Sequence, residues 1–335
     1  MSVTVRSYLG DESSLAEDVL DGLTRPFKEL PPKHFYDRAG AELFDRICDL
    51  PEYYPTRCEH AILAQRADDI AALTGAAELV ELGSGTAAKS RLLLSALARG
   101  RTLRRYVPVD VTESMIRTTG AALAREYPGL EVHGIVGDFE RHLGELPAPA
   151  APRVVAMLGG TIGNFTPGAR RRFLRTIGGL LGHRGALLLG VDLVKDPARI
   201  EAAYNDSAGV TAAFNRNVLH VINRELGADF EPEQFDHVAF FDREHEWIEM
   251  RLRAQRRTTL RVQRLGLTVE FAKREELRTE ISAKFTPRRL TADLAAAGLE
   301  PVELFTDSEG LFGLTLARPL AQQRAGAARE FAFAA

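Results

Sequence analysis

Residues 79 to 90, Leu79-Val-Glu-Leu-Gly-Ser-Gly-Thr-Ala-Ala-Lys-Ser90, read as a buried strand that turns on two glycines into a helix. This is how α/β enzymes receive a nucleotide-like ligand. Gly83 and Gly85 can take backbone conformations that a side chain forbids. A helix starting near Thr86 would aim its unpaired N–H groups at whatever fills the turn. Gly83, Gly85 and Ala88 also satisfy the G-x-G-x-x-A form of the dinucleotide fingerprint, a weak signal by itself. A phosphate-binding P-loop needs glycine directly before its Lys-Ser pair, and Ala88 stands before Lys89 and Ser90. Glu81, two positions before Gly83, suits a cationic ligand and would repel a pyrophosphate. S-adenosylmethionine, with a sulfonium, an ammonium and no phosphate, fits that demand, while the glycines alone leave a nicotinamide dinucleotide open.

Working outward, Tyr106-Val-Pro-Val-Asp110 ends in an acid 22 positions after Ala88, where this architecture places a carboxylate on ribose hydroxyls. Val132 to Phe139 ends in Asp138-Phe139, an acid and an aromatic that could meet the amine and the face of an adenine. Each acid alone reads more simply as an ordinary turn residue. Three at successive strand ends make a pattern. A helix at His60 to Leu73 and strands near 78, 106, 132, 154 and 186 alternate with helical stretches, which predicts a doubly wound, Rossmann-like parallel sheet. After Pro197 the alternation stops: residues 198 to 227 read as helical, and five strand-like runs fill 235 to 285. Helix 287 to 297 and two strands, the last antiparallel, return to the sheet. The expected organisation is a cofactor-binding core at 61–195 and 286–320, with a smaller α+β substrate-binding unit from 10–60 and 196–285. The Ala- and Arg-rich tail, 321–335, is expected to fray.

The chain has 335 residues, 45% hydrophobic and 27% charged, with a net charge of −3. That balance argues against nucleic acid as the main partner, since binders of phosphate backbones are strongly basic. Cys48 and Cys58 are too few for a disulfide framework and lack companion ligands for zinc, so no metal and a reduced, cytoplasmic setting are expected. No secretory signal and no run of 18 apolar residues is present, which predicts no membrane association. A monomer is expected.

Four segments carry a family likeness: Leu30-Pro-Pro-Lys-His-Phe-Tyr-Asp37, Leu50-Pro-Glu-Tyr-Tyr-Pro-Thr-Arg57, Glu81-Leu-Gly-Ser-Gly-Thr86 and Gly159-Gly-Thr-Ile-Gly-Asn-Phe165. Together they resemble the ergothioneine-biosynthetic histidine Nα-methyltransferases, S-adenosylmethionine enzymes that trimethylate the α-amine of histidine to the betaine hercynine. The likeness spans roughly residues 10 to 318, with one shift between 139 and 159. It implies cofactor contacts at Gly83, Lys89, Asp110, Asp138 and Phe139, to which the reading of the turn adds Glu81 and Gly85. It also implies histidine contacts at Tyr53, Asn164, Tyr204, Glu280, Ile281 and Ser282, with Tyr36 beside the amine. Asn164 and Tyr204 are expected to hold the substrate carboxylate, and Tyr36 to accept a hydrogen bond from the amine and help remove its proton. From residues alone, the tyrosine clusters at 36 and 53–54 read first as packing.

In Arg278 to Phe285, strict alternation puts Glu280, Ser282 and Lys284 on one strand face and Thr279, Ile281, Ala283 and Phe285 on the other. The plain reading is a solvated face. If that face lines a pocket, Glu280 and Ser282 can pair with the two imidazole nitrogens of a histidine, with Met250 as an adaptable wall. Two other classes stay open on fold grounds. A nicotinamide-dependent dehydrogenase would bind NAD, and a catalytically dead sensor would bind S-adenosylmethionine without turnover.

Overall fold

The computed structural model describes residues 2–8, 14–149, 151–182 and 184–320; the tail expected to fray lies outside them. The hydrophobic runs around the glycine turn form the middle of an eight-stranded sheet. Its spatial order is Ser2–Ser7, Glu131–Val136, Arg105–Asp110, Glu78–Leu82, Arg153–Met157, Ala186–Asp192, Phe312–Pro319, Leu299–Thr306. The first six strands are parallel, and Phe312–Pro319 runs antiparallel to both of its neighbours, so that Leu299–Thr306 at the edge points the same way as the first six. Every residue of Glu78–Leu82, Arg153–Met157 and Ala186–Asp192 is buried, as strands covered by helices on both faces require. Chain order runs outward from Glu78–Leu82 in one direction and then reverses to Arg153–Met157. A crevice therefore opens at the carboxyl ends of these strands, directly above Gly83.

The doubly wound sheet agrees with expectation, and two of its features do not. Ser2–Ser7, given no element in the sequence reading, pairs parallel with Glu131–Val136 and extends the sheet edge. The helix expected at His60–Leu73 runs Tyr54–Thr74, because Pro55 sits in its first turn, where a missing N–H does no harm.

A second, four-stranded sheet stands beside the first in the order Lys28–Glu29, Glu276–Ala283, Trp247–Ala254, Phe235–Asp242. A hairpin of Thr258–Val262 and Leu267–Phe271 extends this region. Helices Ser14–Thr24 and Val210–Leu226 pack here, and Leu15, Val19, Phe35, Tyr53, Tyr204, Phe214 and Met250 share one hydrophobic core. The two faces of the large sheet carry separate cores.

Candidate active site

The glycine turn is tighter than the sequence implied. Gly83, Gly85 and Ala87 all have positive φ, at 75°, 46° and 53°. The helix consequently begins at Ser90 and not near Thr86. Several of the turn's N–H groups are taken internally: Gly83 and Ser84 donate to the Val109 carbonyl at 2.9 and 3.3 Å, and Ala87 donates to that of Ser84 at 2.8 Å. A turn that spends these donors on its own backbone is a poorer anion cradle, which agrees with a ligand lacking phosphate. A Cβ on Gly85 would meet no atom within 4 Å, so this face opens to the crevice. The buried Ser84 hydroxyl has no partner within the protein and can be satisfied by a ligand.

Three carboxylates surround the turn, and they are differently held. Asp110 accepts from Gly85 N at 2.9 Å through one oxygen and from Thr112 N at 3.0 Å through the other, which fixes its plane and leaves lone pairs toward the crevice. Asp138 caps its helix by accepting from Glu140 N at 2.8 Å, and Lys33 lies 3.1 Å from its second oxygen. Phe139 follows, its ring edge 3.8 Å from where a Gly83 Cβ would stand. Glu81 is buried and accepts a hydrogen bond from the Tyr106 hydroxyl of the neighbouring strand. Burial pushes its carboxyl up to about 7, offset in part by the Ser90 and Tyr106 hydroxyls and the Lys89 charge. Beneath a cationic ligand this group would be drawn back to its charged form.

Lys89 pairs with Glu59, a fully buried residue that sequence reasoning missed. Glu59 also accepts from Gly159 N at 2.8 and 2.9 Å. Burial works against the Lys89 ammonium, but the Glu59 carboxylate outweighs it and holds its pKa above the ordinary value. An acid inside an amphipathic helix carries no mark of such a role in the sequence. Glu59 links the glycine turn to the Gly159–Phe165 segment, which bends through a 3-10 turn at Thr161–Asn164 against strand Glu276–Ala283. Gly163 permits that approach, since a Cβ there would sit 2.9 Å from the Ala283 carbonyl.

On this strand the plain solvated-face reading fails. Ser282 is 5% exposed and Lys284 0%, and Glu280 is only partly exposed. Asn164 donates to Glu280 Oε1 at 3.0 Å and to the Ile281 carbonyl at 2.8 Å. Both amide hydrogens are thereby used, so Asn164 offers a substrate its carbonyl oxygen, an acceptor suited to an amine and not to the expected carboxylate. The Ile281 side chain is buried in the large sheet's core, and its contribution to the site is the carbonyl that fixes Asn164. Glu280 pairs directly across the strands with Met250, which puts the two side chains on one face. A register shift between Arg278 and Glu280 sends Arg278 to the opposite face, where it meets Glu29 and Glu249. Alternation alone would have placed an arginine beside the glutamate.

The remaining wall is aromatic. Tyr53 packs edge-on against Tyr204 at 6.3 Å and Phe44 at 6.2 Å, and Tyr36 against Phe44 and Phe214, both at 5.5 Å. Tyr204 lies 3.0 Å from the Ser282 hydroxyl. Tyr36 keeps 42% of its surface accessible, yet the surrounding protein desolvates its phenol. Burial first, then the Glu280 charge, raise its pKa above the ordinary value. Tyr36 therefore stays protonated at neutral pH and cannot serve as a phenolate base; its hydroxyl can accept a hydrogen bond only as a neutral group. Burial likewise pushes Glu280 up to about 7, against the hydrogen bond from Asn164 and the Lys284 charge.

Among the described residues no group of three or more His, Cys, Asp or Glu could hold a metal ion, and no helix is long and apolar enough to cross a membrane. The strand order, the opened glycine turn and the acids at three successive strand ends define a Rossmann-like, S-adenosylmethionine-dependent methyltransferase. The sequence pattern of the family described as histidine-specific, S-adenosylmethionine-dependent methyltransferases matches residues 15–319, and the chain belongs to that family. It is 51% identical to the histidine N-alpha-methyltransferases of Mycolicibacterium smegmatis and Mycobacterium tuberculosis, each match covering 95% of this chain and 99% of the relative. It is also 34% identical to ergothioneine biosynthesis protein 1 of Neurospora crassa, over 60% of this chain and 23% of that longer protein. Membership sets aside the nicotinamide and sensor readings.

Proposed function

We propose that this enzyme transfers methyl groups from S-adenosylmethionine to the α-amine of L-histidine, three in succession, and so makes hercynine for ergothioneine synthesis. The observation that carries the substrate is the pair Glu280 and Ser282, two residues apart on one strand face with Met250 opposite Glu280, an acceptor and a hydroxyl that can serve the two nitrogens of one imidazole. The bound sulfonium supplies an already activated methyl group, so the residues of this chain bind, orient and exclude water. Asp110 would hold the ribose, Asp138 and Phe139 the adenine, and Lys89 the methionine carboxylate. Glu81 would balance the positive charge from beneath Gly83 and Gly85. Asn164 Oδ1, Tyr36 and Tyr53 would orient the amine with its lone pair toward the methyl group, while Tyr204, expected at the carboxylate, spends its one hydrogen on Ser282 Oγ and would shape the pocket wall. An α-amine is mostly protonated near neutral pH, so the attacking form is the minor one and turnover should rise with pH. A cofactor unit at 61–195 and 286–320 and a substrate unit at 10–60 and 196–285 follow the hydrophobic cores broadly, with Trp247, Ile281, Ala283 and Phe285 packed into the large sheet's core as the join between them. Two unpaired cysteines fit a reduced, cytoplasmic setting.

The test is mass spectrometry of the twenty amino acids incubated with enzyme and S-adenosylmethionine. Histidine should gain one, two and three methyl groups. Methylation of another amino acid in preference to histidine sinks the substrate assignment.

A further inference from the structure

Ser282 and Tyr204 are tied to a lysine that the reaction as described does not use. The Lys284 side chain is fully buried, with its Nζ 2.9 Å from Asp192 Oδ2, 3.0 Å from the Tyr204 hydroxyl and 2.9 Å from Ser282 Oγ. An ammonium has three N–H donors and no lone pair, so all three donors are used and both hydroxyls are obliged to accept. Tyr204, accepting from Lys284, donates its own hydrogen to Ser282 Oγ at 3.0 Å. Ser282 Oγ thus accepts twice, and what it presents to the pocket is its hydrogen. Lys284 is held in place from behind. Its partner Asp192, at the end of strand Ala186–Asp192, also accepts from the Tyr54 hydroxyl at 2.9 and 3.0 Å and pairs with Lys195. Burial disfavours the Lys284 ammonium, but the Asp192 carboxylate outweighs it and raises the pKa.

The pocket then offers one donor, Ser282, and one acceptor, the Glu280 carboxylate. A neutral imidazole has one N–H and one lone pair, and only one of its two tautomers matches both partners in a given orientation. An imidazolium would set an N–H against the Ser282 hydrogen. We propose that Lys284 is a positioning residue: it fixes the direction of the Ser282 hydroxyl, so that histidine is held as neutral imidazole in a single tautomer, N–H toward Glu280 and lone pair toward Ser282. The proposal rests on the histidine reading above.

The experiment is ¹⁵N NMR of ring-labelled histidine bound to the parent enzyme with S-adenosylhomocysteine, at about pH 8, where free histidine has a neutral ring and averages its tautomers. One pyrrole-type and one pyridine-type resonance are expected in the complex. In Lys284→Met the two should move toward the averaged position, with KM for histidine raised roughly 10-fold and S-adenosylhomocysteine affinity unchanged. In a Ser282→Ala background, adding Lys284→Met should change the spectrum no further. If Lys284→Met leaves Asp192 unpaired and does not fold, Lys284→Met with Asp192→Asn removes both charges together. Averaged or imidazolium-type resonances in the parent complex, or a single tautomer retained without Lys284, overturn the proposal. Labelled histidine that never changes on adding protein instead defeats the substrate reading beneath it, a distinguishable result.

Discussion

Glu280 is gripped by Asn164 on one oxygen and faces Met250 across the strand pair, so the substrate side chain meets an acceptor inside an otherwise apolar frame. A site built this way rejects side chains that leave its polar atoms unpaired. Glu280→Ala should lower kcat/KM for histidine at least about 10-fold, the effect of one lost hydrogen bond worth roughly 1.4 kcal/mol, with cofactor affinity little changed. An unchanged preference for histidine over phenylalanine in that variant would remove Glu280 from the pocket. Asp110, fixed in plane by two backbone donors, makes a parallel test: Asp110→Ala should weaken S-adenosylmethionine binding by about 1.5 to 3 kcal/mol in calorimetry. Equal affinity would refute the ribose assignment. Tyr36 calls for a different measurement, because its raised pKa keeps the phenol protonated. Tyr36→Phe should slow turnover while the pH at which the rate rises stays where it was, set by the substrate amine. A displaced pH limb would show that Tyr36 does exchange the proton.

At the scale of elements, the strand Glu276–Ala283 decides how much of the site the sequence could reveal. Alternation from Glu280 to Ala283 was legible, because a β-strand's period of two survives in the residues themselves. The shift before Glu280 was not, since Thr279 bears no glycine or proline to announce a bulge, and it is held by Asn215 and the Met250 carbonyl, partners far away in the chain. Glu59 and Lys284 were hidden for the same reason: their meaning lies in what tertiary packing brings to them. The glycine turn was legible as a site because two glycines and an acid in one short segment have few other uses, yet Ala87 at φ 53° displaced the start of the helix behind it. The contact between the Thr161–Asn164 turn and this strand can be tested at Gly163. Gly163→Ala would press a methyl against the Ala283 backbone, should cost about 1 to 3 kcal/mol in urea unfolding, and should raise KM for histidine more than for S-adenosylmethionine by displacing Asn164. Unaltered stability would mean that the turn yields freely.

Across the whole molecule, the site is charged at the expense of the fold. Glu81 and Glu280 both sit at about 7, well above the ordinary 4.5 of a glutamate. For a carboxyl whose folded pKa is raised, the stabilising contribution is fully present below the unfolded pKa and is lost as pH rises through the folded one. In the ligand-free enzyme that window runs from about pH 4.5 to above 7. For the buried Glu81 the loss is on the order of 3 kcal/mol. His237, whose pKa burial holds below its usual range, acts in the opposite sense, so the absolute slope of stability against pH mixes both effects. Comparison with a variant separates them. Glu81→Gln keeps an acceptor for the Tyr106 hydroxyl and removes the titration. It should match the parent near pH 5, exceed it in Tm near pH 8, and bind S-adenosylmethionine more weakly, because the charge placed beneath the cationic ligand is gone. Saturating S-adenosylmethionine should narrow the Tm gap at pH 8, since a ligand that prefers ionised Glu81 stabilises the parent more than the variant. Parallel Tm curves for parent and variant from pH 5 to 8 would show that Glu81 is already ionised in the free enzyme and that its burial carries no such cost.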